Sequence, residues 1–298
     1  MQQHIPVLLQ EVITFLDPRP GDFIIDGTVD GGGHAREILG RITDTGRLLG
    51  IDWDEALLAE CRARLSGYGN AILVHGNYAD AARILRERDL PPADGLLVDL
   101  GFSSEQLEAS GRGFSFGESS RGEPLLMTYD DSRPSVASLL RELKEEELAD
   151  VIYGLGGERY SRRIAKAIKE RGRKDPIATS GDLADTVRNA VSRGYERGRI
   201  DPATRTFQAL RIYANGELEN LKALLGQLPE IVRPGGRVAI ITFHSLEDRI
   251  VKEAFRDIAK RGGGTLVTPK PVPAGREEIA GNPRSRSAKL RVLRMGDR

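Results

Sequence analysis

The stretch Phe23-Ile24-Ile25-Asp26-Gly27-Thr28-Val29-Asp30-Gly31-Gly32-Gly33-His34 decides the fold. Its apolar, β-branched start reads as a short buried strand ending at Asp26, and the glycine run leads into a helical pattern over 35–39. Residues without a Cβ let a backbone turn sharply and come close to a ligand. Outward from it, three more strand-like runs follow: Arg47-Leu48-Leu49-Gly50-Ile51-Asp52, Ala71-Ile72-Leu73-Val74 and Gly95-Leu96-Leu97-Val98-Asp99. Helical patterns over 55–65 and 79–88 separate them, and such alternation predicts a parallel sheet covered by helices.

The same pattern returns late in the chain. A helix is expected over 218–231, then a turn at Pro234-Gly235-Gly236, a strand over 237–243 and a helix over 246–259. Two last strands fall near 265–268 and 288–294, with a loop between them. From about 111 to 205 no run reads as a strand. Helices are expected there over 135–151, 162–170 and 181–191, the last with Ser180 as N-cap. The expected organisation is a sheet domain in two parts, 1–108 and 207–298, around a helical insert, 109–206.

Composition narrows the function. The 298 residues hold 44 Lys+Arg against 44 Asp+Glu, so net charge alone gives no reason to expect nucleic-acid binding. The charge is unevenly distributed, however. Between 159 and 174 stand Arg159, Arg162, Arg163, Lys166, Lys169, Arg171, Arg173 and Lys174 against Glu170 alone. A second basic stretch carries Arg284, Arg286, Lys289, Arg291 and Arg294. Such patches neutralise phosphates, or are simply solvated faces. No apolar run reaches the roughly 20 residues that span a bilayer, so no membrane partner is expected. One cysteine, Cys61, excludes an intrachain disulfide framework and fits a reducing cytoplasm. Four scattered histidines lack metal-ligand spacing, so no metal site is expected.

Ligands of such sheets bind beyond the carboxyl ends of the strands. Asp52 ends the second strand, where an acid holds two ribose hydroxyls, and a dinucleotide site shares that layout. Arg36 stands where a pyrophosphate-binding helix wants a small residue, which favours S-adenosylmethionine. Tyr78 follows the third strand, where a ring can pack on adenine. Asp99-Leu100-Gly101-Phe102-Ser103-Ser104 follows the fourth, and His244 the fifth.

Longer motifs add to this. His4-Ile5-Pro6-Val7-Leu8-Leu9-Gln10-Glu11-Val12, Gly31-Gly32-Gly33-His34, Arg112-Gly113-Phe114-Ser115-Phe116, Pro202-Ala203-Thr204-Arg205-Thr206-Phe207-Gln208-Ala209-Leu210-Arg211-Ile212, Thr242-Phe243-His244-Ser245-Leu246-Glu247-Asp248-Arg249 and Asn282-Pro283-Arg284-Ser285-Arg286-Ser287-Ala288-Lys289-Leu290-Arg291 occur in order. With these the chain resembles the RsmH (MraW) family over essentially its whole length. The resemblance implies an α/β fold of the class I S-adenosylmethionine methyltransferases, Rossmann-like, with a mostly parallel seven-stranded sheet and a small helical substrate-recognition insert. It implies N4-methylation of a cytidine in the decoding region of 16S rRNA, with 16S rRNA or the small ribosomal subunit as partner and S-adenosyl-L-methionine as cofactor. A monomer and a homodimer both stay open. The implied cofactor contacts are Gly32, Gly33, His34, Asp52, Tyr78, Asp99 and Gln106.

Three departures from the family pattern bear on substrate and efficiency. Asp30 stands where the family usually has glycine, and Asp201 replaces a histidine. The run Pro-Leu-Asp-Met-Arg-Met-Asp reads Pro124-Leu125-Leu126-Met127-Thr128-Tyr129-Asp130, losing an acid and an arginine together. The alternative to the enzyme is therefore a non-catalytic or substrate-drifted RNA- or ribosome-binding relative.

Asp99 and His244 are the catalytic candidates: Asp99 orients donor or amine, and His244 contacts the base, shuttles the proton or is structural. C5 methylation needs a cysteine nucleophile, and Cys61 sits in the helix after the second strand, which disfavours that chemistry. Glu247 and Asp248 read as acids complementing a helix dipole. Candidate RNA contacts are Arg112, Phe114, Arg162, Arg163, Arg249, Arg284 and Arg286, with Arg291 beside them. Phe114 and Phe116 are equally readable as core, and for Phe102 core is the preferred reading.

Overall fold

The computed structural model describes residues 6–101, 110–192, 195 and 200–297. The chain divides into two units, 1–101 with 218–298, and 102–217.

The first unit is built on one sheet. Strands β1 (Phe23–Asp26), β2 (Arg47–Asp52), β3 (Ala71–His75), β4 (Ala93–Asp99) and β5 (Val232–Thr242) run parallel. Strand β8 (Lys289–Met295) is antiparallel to β5, and β6 (Gly264–Leu266) and β7 (Val272–Pro273) are antiparallel to β8. The order β3-β2-β1-β4-β5-β8-β6 is that of the class I methyltransferase fold, and the two-residue β7 is an addition to the expected seven strands.

The middles of the central strands are apolar because both sheet faces are covered there. Phe23, Ile25, Leu49, Ile51, Leu96, Val98, Val238 and Ile240 enter one core, shared with α4 (Ala81–Glu87), α10 (Glu217–Ile231) and α11 (Ser245–Lys260). Ile24, Leu48, Leu97, Ala239 and Ile241 point the other way, towards α1 (Leu9–Leu16), α2 (Gly33–Ile42) and α3 (Glu55–Arg64). The alternation follows from the period-2 geometry of a strand.

In the second unit the described helices are α5 (Val136–Glu142), α6 (Glu145–Gly156), α7 (Ser161–Lys174), α8 (Ser180–Ala190) and α9 (Ala203–Asn215), around a core of their own. Their apolar residues recur at helical spacing, as Ile164, Ala165 and Ile168 do in α7.

Several local expectations need correction. The single helix over 135–151 is broken, because the Glu147 carboxylate turns back to accept the Lys144 N–H at 2.8 Å and starts a new helix. The N-cap of α8 is Thr179, whose Oγ1 accepts from Asp182 N, while the Ser180 hydroxyl donates to Ser120 O at 2.6 Å. Pro234-Gly235-Gly236 is not a turn before the strand. With Arg233 it stands opposite Asp94 alone as a bulge within β5, where Gly235 takes φ +77°. The expected loop before β8 holds β7, α12 (Arg276–Gly281) and a 3-10 turn, Pro283–Ser287. Helices α1 and α9 had not been expected, and α9 lies in the 102–217 unit, so the sheet unit resumes at 218 and not at 207.

Candidate functional site

The parallel strands deliver Asp26, Asp52, His75 and Asp99 to one edge, with Phe243 and His244 beyond β5. Pairing of Asp52 with His75, and of Asp99 with Ile241, keeps these ends level.

Three of these residues are carboxyls, and Asp26 lies in the fields of both Asp52 and Asp99. Asp26 is 1% exposed, accepts Thr28 N–H at 3.2 Å through Oδ1, and has no partner for Oδ2 among the described residues. Burial pushes its pKa up to about 7, against the Thr28 N–H, and the charges of Asp99 and Asp52 push the same way. Asp99 rises to about 7, chiefly by burial, with the Gly101 N–H opposing and Glu247 adding. Asp52 rises to about 6, again by burial, opposed by N–H groups including those of Asp54 and Asp30. Those two donors sit at 2.8 and 2.7 Å on opposite carboxylate oxygens.

The glycine turn is also shaped by packing. Gly32 has φ +81°, and a Cβ there would meet Cys61 Sγ at 3.1 Å. At Gly33 it would meet Pro6 Cγ at 2.4 Å. Cys61 is fully buried and its thiol is pushed up to about 12, chiefly by burial. His34, in the first turn of α2, is buried with Nε2 donating to Val7 O at 3.0 Å. Tyr78 opens a 3-10 turn over Tyr78–Asp80 and packs on the sheet core, its Cβ close to Gly27. Asp30 takes φ +47°, which explains a preference for glycine there, and its N–H is spent on Asp52. Gln106 and Phe102 lie outside the described residues.

On the acceptor side, Asp99 Oδ1 accepts Gly101 N–H at 2.9 Å, and the Phe243 ring lies where a Cβ on Gly101 would fall. His244 is the N-cap of α11 and Glu247 completes a capping box with it. Glu247, 3% exposed, is more than the dipole-complementing acid read from sequence. Its Oε2 accepts Phe243 N–H at 2.8 Å and His244 N–H at 3.2 Å. Thr28 and Glu247 were both missed as site residues. Thr28 carries no sequence signal, whereas the His244-x-x-Glu247 spacing matches a capping pair.

The RNA candidates separate by environment. Arg162 and Arg163 are exposed on α7 and Arg249 on α11. Arg286 is exposed and Arg284 half-buried on the 3-10 turn. Arg112 instead braces its own loop, donating to Thr128 O, Thr128 Oγ1, Asp130 O and Asp131 Oδ1 at 2.6–3.1 Å. Phe114 is buried in the core and stacks on Tyr129 at 5.7 Å, so its ring is not open to a base. Phe116 packs on Phe207, with ring centroids 4.6 Å apart. Arg291 is buried and holds Asp248 through its Nε at 2.7 Å, which removes it from the phosphate-contact set. Burial is the largest single effect on the Asp248 carboxyl and raises it, but the Arg291 hydrogen bond together with the charges of Arg291, Lys289 and Lys252 outweighs it and holds the group below its usual range.

Two of the departures are absorbed locally. Thr128 supplies two acceptors to Arg112. Asp201 accepts from Arg188 at 2.8 Å and from Ala203 N–H at 2.8 Å, starting α9.

Known proteins resemble this chain along nearly its whole length. The MraW methylase family model matches residues 1–295. A protein of Syntrophotalea carbinolica called "Ribosomal RNA small subunit methyltransferase H" is 45% identical, covering 98% of both chains. Its namesake in Sorangium cellulosum is 48% identical over 98% of this chain and 91% of its own. That of Geobacter sp. (strain M21) is 44% identical over 97% of each. Matched along its whole length, the chain belongs to the MraW methylase family.

Proposed function

We propose that this chain transfers a methyl group from S-adenosyl-L-methionine to the exocyclic N4 amine of a cytidine in 16S rRNA. The observation that carries the reading is the acid edge: Asp26, buried within the fields of Asp52 and Asp99, level with a glycine turn. This set suits a ligand with positive sulfur and ammonium groups, and Asp26 Oδ2 is a buried oxygen with no hydrogen-bond partner among the described residues. The relatives' printed name supplies the substrate class, small-subunit ribosomal RNA.

The cofactor supplies a methyl made electrophilic by positive sulfur. Asp52 binds ribose hydroxyls, Tyr78 packs on the adenine, and Gly32, Gly33 and His34 form the turn around the methionine end, with Gln106 as a further contact. Asp99 accepts a hydrogen bond from the cytosine amine, raising electron density on nitrogen and taking the proton lost once the N–C bond forms. Its carboxylate stays in place through Gly101 N–H, with the Phe243 ring packed against Gly101. Arg162, Arg163, Arg249, Arg284 and Arg286 meet phosphates, Arg112 and Phe114 keep the helical unit in shape, and the cytoplasm is the expected compartment.

The test is transfer of labelled methyl to small subunits lacking the decoding-region mark, followed by nucleoside analysis. Label in N4-methylcytidine that disappears with Asp99→Ala supports the proposal. Cofactor binding with no label means a drifted substrate, and failure to bind the cofactor removes the enzyme reading.

A further inference from the structure

Glu247 touches both nitrogens of the His244 ring. Its main-chain N–H donates to Nδ1 at 3.4 Å, and its Oε1 lies 3.0 Å from Nε2. A nitrogen that accepts a hydrogen bond carries no proton, so in the neutral ring the proton sits on Nε2. A carboxylate beside Nε2 favours the same tautomer. Yet Oε1 stands off the line of an Nε2 hydrogen bond, and Nε2 is buried with no hydrogen-bond partner among the described residues. Glu247 cannot swing to satisfy it, because Oε2 is held by the N–H groups of Phe243 and His244. A buried donor left unmet in this way carries an uncompensated desolvation penalty until a ligand accepts from it.

The neighbours show which ligand atom that is. The Phe243 ring, one residue away, packs on Gly101, and Gly101 N–H holds Asp99, where the acceptor amine is proposed to sit. Glu247 also acts on the Asp99 carboxyl through its charge. Beside its exocyclic amine a cytosine carries a ring nitrogen that is a pure acceptor, and its carbonyl oxygen is another.

Resting on the methyltransferase reading above, we infer that Glu247 is a positioning residue that fixes His244 as an Nε2–H donor to an acceptor atom of the substrate base. His244 then does not take the amine proton, which leaves that role to Asp99. A donor so placed rejects a base that presents N–H at the same point, because two donors would face each other.

The experiment combines nitrogen NMR of the full chain, carrying 15N-histidine, with kinetics. His244 is assigned by its loss in His244→Gln, and the expected spectrum of the neutral ring has a protonated Nε2 and an unprotonated Nδ1. In Glu247→Gln both tautomers appear, and kcat falls about tenfold while KM for the cofactor stays within about twofold. His244→Gln keeps an N–H donor but no basic nitrogen, and retains activity within about tenfold of the wild type. His244→Ala loses about a hundredfold. An Nδ1–H tautomer in the wild type, or Gln and Ala variants equally inactive, overturns the assignment. A wild-type chain that labels no RNA overturns the proposed function instead, and the tautomer still decides the role of His244.

Discussion

The hydroxyl of Thr28 accepts the main-chain N–H of Asp99 at 2.7 Å, tying the loop after β1 to the end of β4. The bond fixes where the Asp99 side chain starts, and the Thr28 N–H donates to Asp26 Oδ1 at 3.2 Å, so one residue positions two acids of the edge. Thr28→Val keeps shape and β-branching but leaves that N–H without its acceptor. We expect a loss of roughly 1–3 kcal/mol in stability. Chemical denaturation measures it, and an unchanged midpoint with an unchanged slope counts against the link.

The carboxyl cluster gives a pH dependence whose sign follows from its pKa values. Asp26 and Asp99 rise from the ordinary 3.8 to about 7 and Asp52 to about 6, so the folded chain binds these protons more tightly than the unfolded chain. The stability they contribute is fully present below pH 3.8 and is lost as pH rises through 6 to 7. The melting temperature of the ligand-free chain should therefore fall between pH 5 and pH 8 by more than that of Asp26→Asn, which removes one ionisation. Parallel melting curves show it as a smaller slope for the variant. Identical slopes would mean that folding does not raise the Asp26 pKa.

This balance of fold and site shows what a sequence makes legible. Strands β1 to β4 could be read because each is an unbroken apolar run, and the acids at their ends because parallel pairing lines those ends up. Helix α1 could not, since its first signal is a left-handed backbone at Leu8 and not a capping side chain. The break between α5 and α6 was hidden because Glu147, an ordinary helix residue, makes it by reaching back to Lys144. Arg291 read as a phosphate ligand because charge was visible, whereas its partner Asp248 lies 43 residues away. Long-range partners decide which cations are free, and spacing along the chain does not encode them.

Gly32 tests two constraints at one position. Its φ of +81° strains any L side chain, and a Cβ would also press on Cys61 Sγ at 3.1 Å. Gly32→Ala should cost about 1–3 kcal/mol and weaken cofactor binding. Adding Cys61→Ala relieves only the contact, so the double variant should recover part of the stability measured by denaturation. Full recovery would show that the backbone conformation carries no strain.

Arg162 and Arg163 are exposed on α7, and the ion pair of Arg162 with Asp150 is long, at 3.9 Å, with both side chains more than three-quarters exposed. A pair that open to water contributes little to stability. Lys169, in the same run, has its amine turned onto Leu140 O and Arg141 O, at 2.7 and 3.1 Å, and is less able to serve a phosphate. Replacing Arg162 and Arg163 by Glu should leave the melting temperature within a degree or two of the wild type. RNA affinity should fall at low salt, and the slope of log affinity against log salt should drop by about one per lost phosphate contact. Lys169→Gln should do the reverse, lowering stability with little change in that slope. Salt-dependent binding to a small-subunit RNA fragment separates the two outcomes: if the slopes of all three variants match the wild type, phosphates are met elsewhere, with Arg249, Arg284 and Arg286 next to be tested.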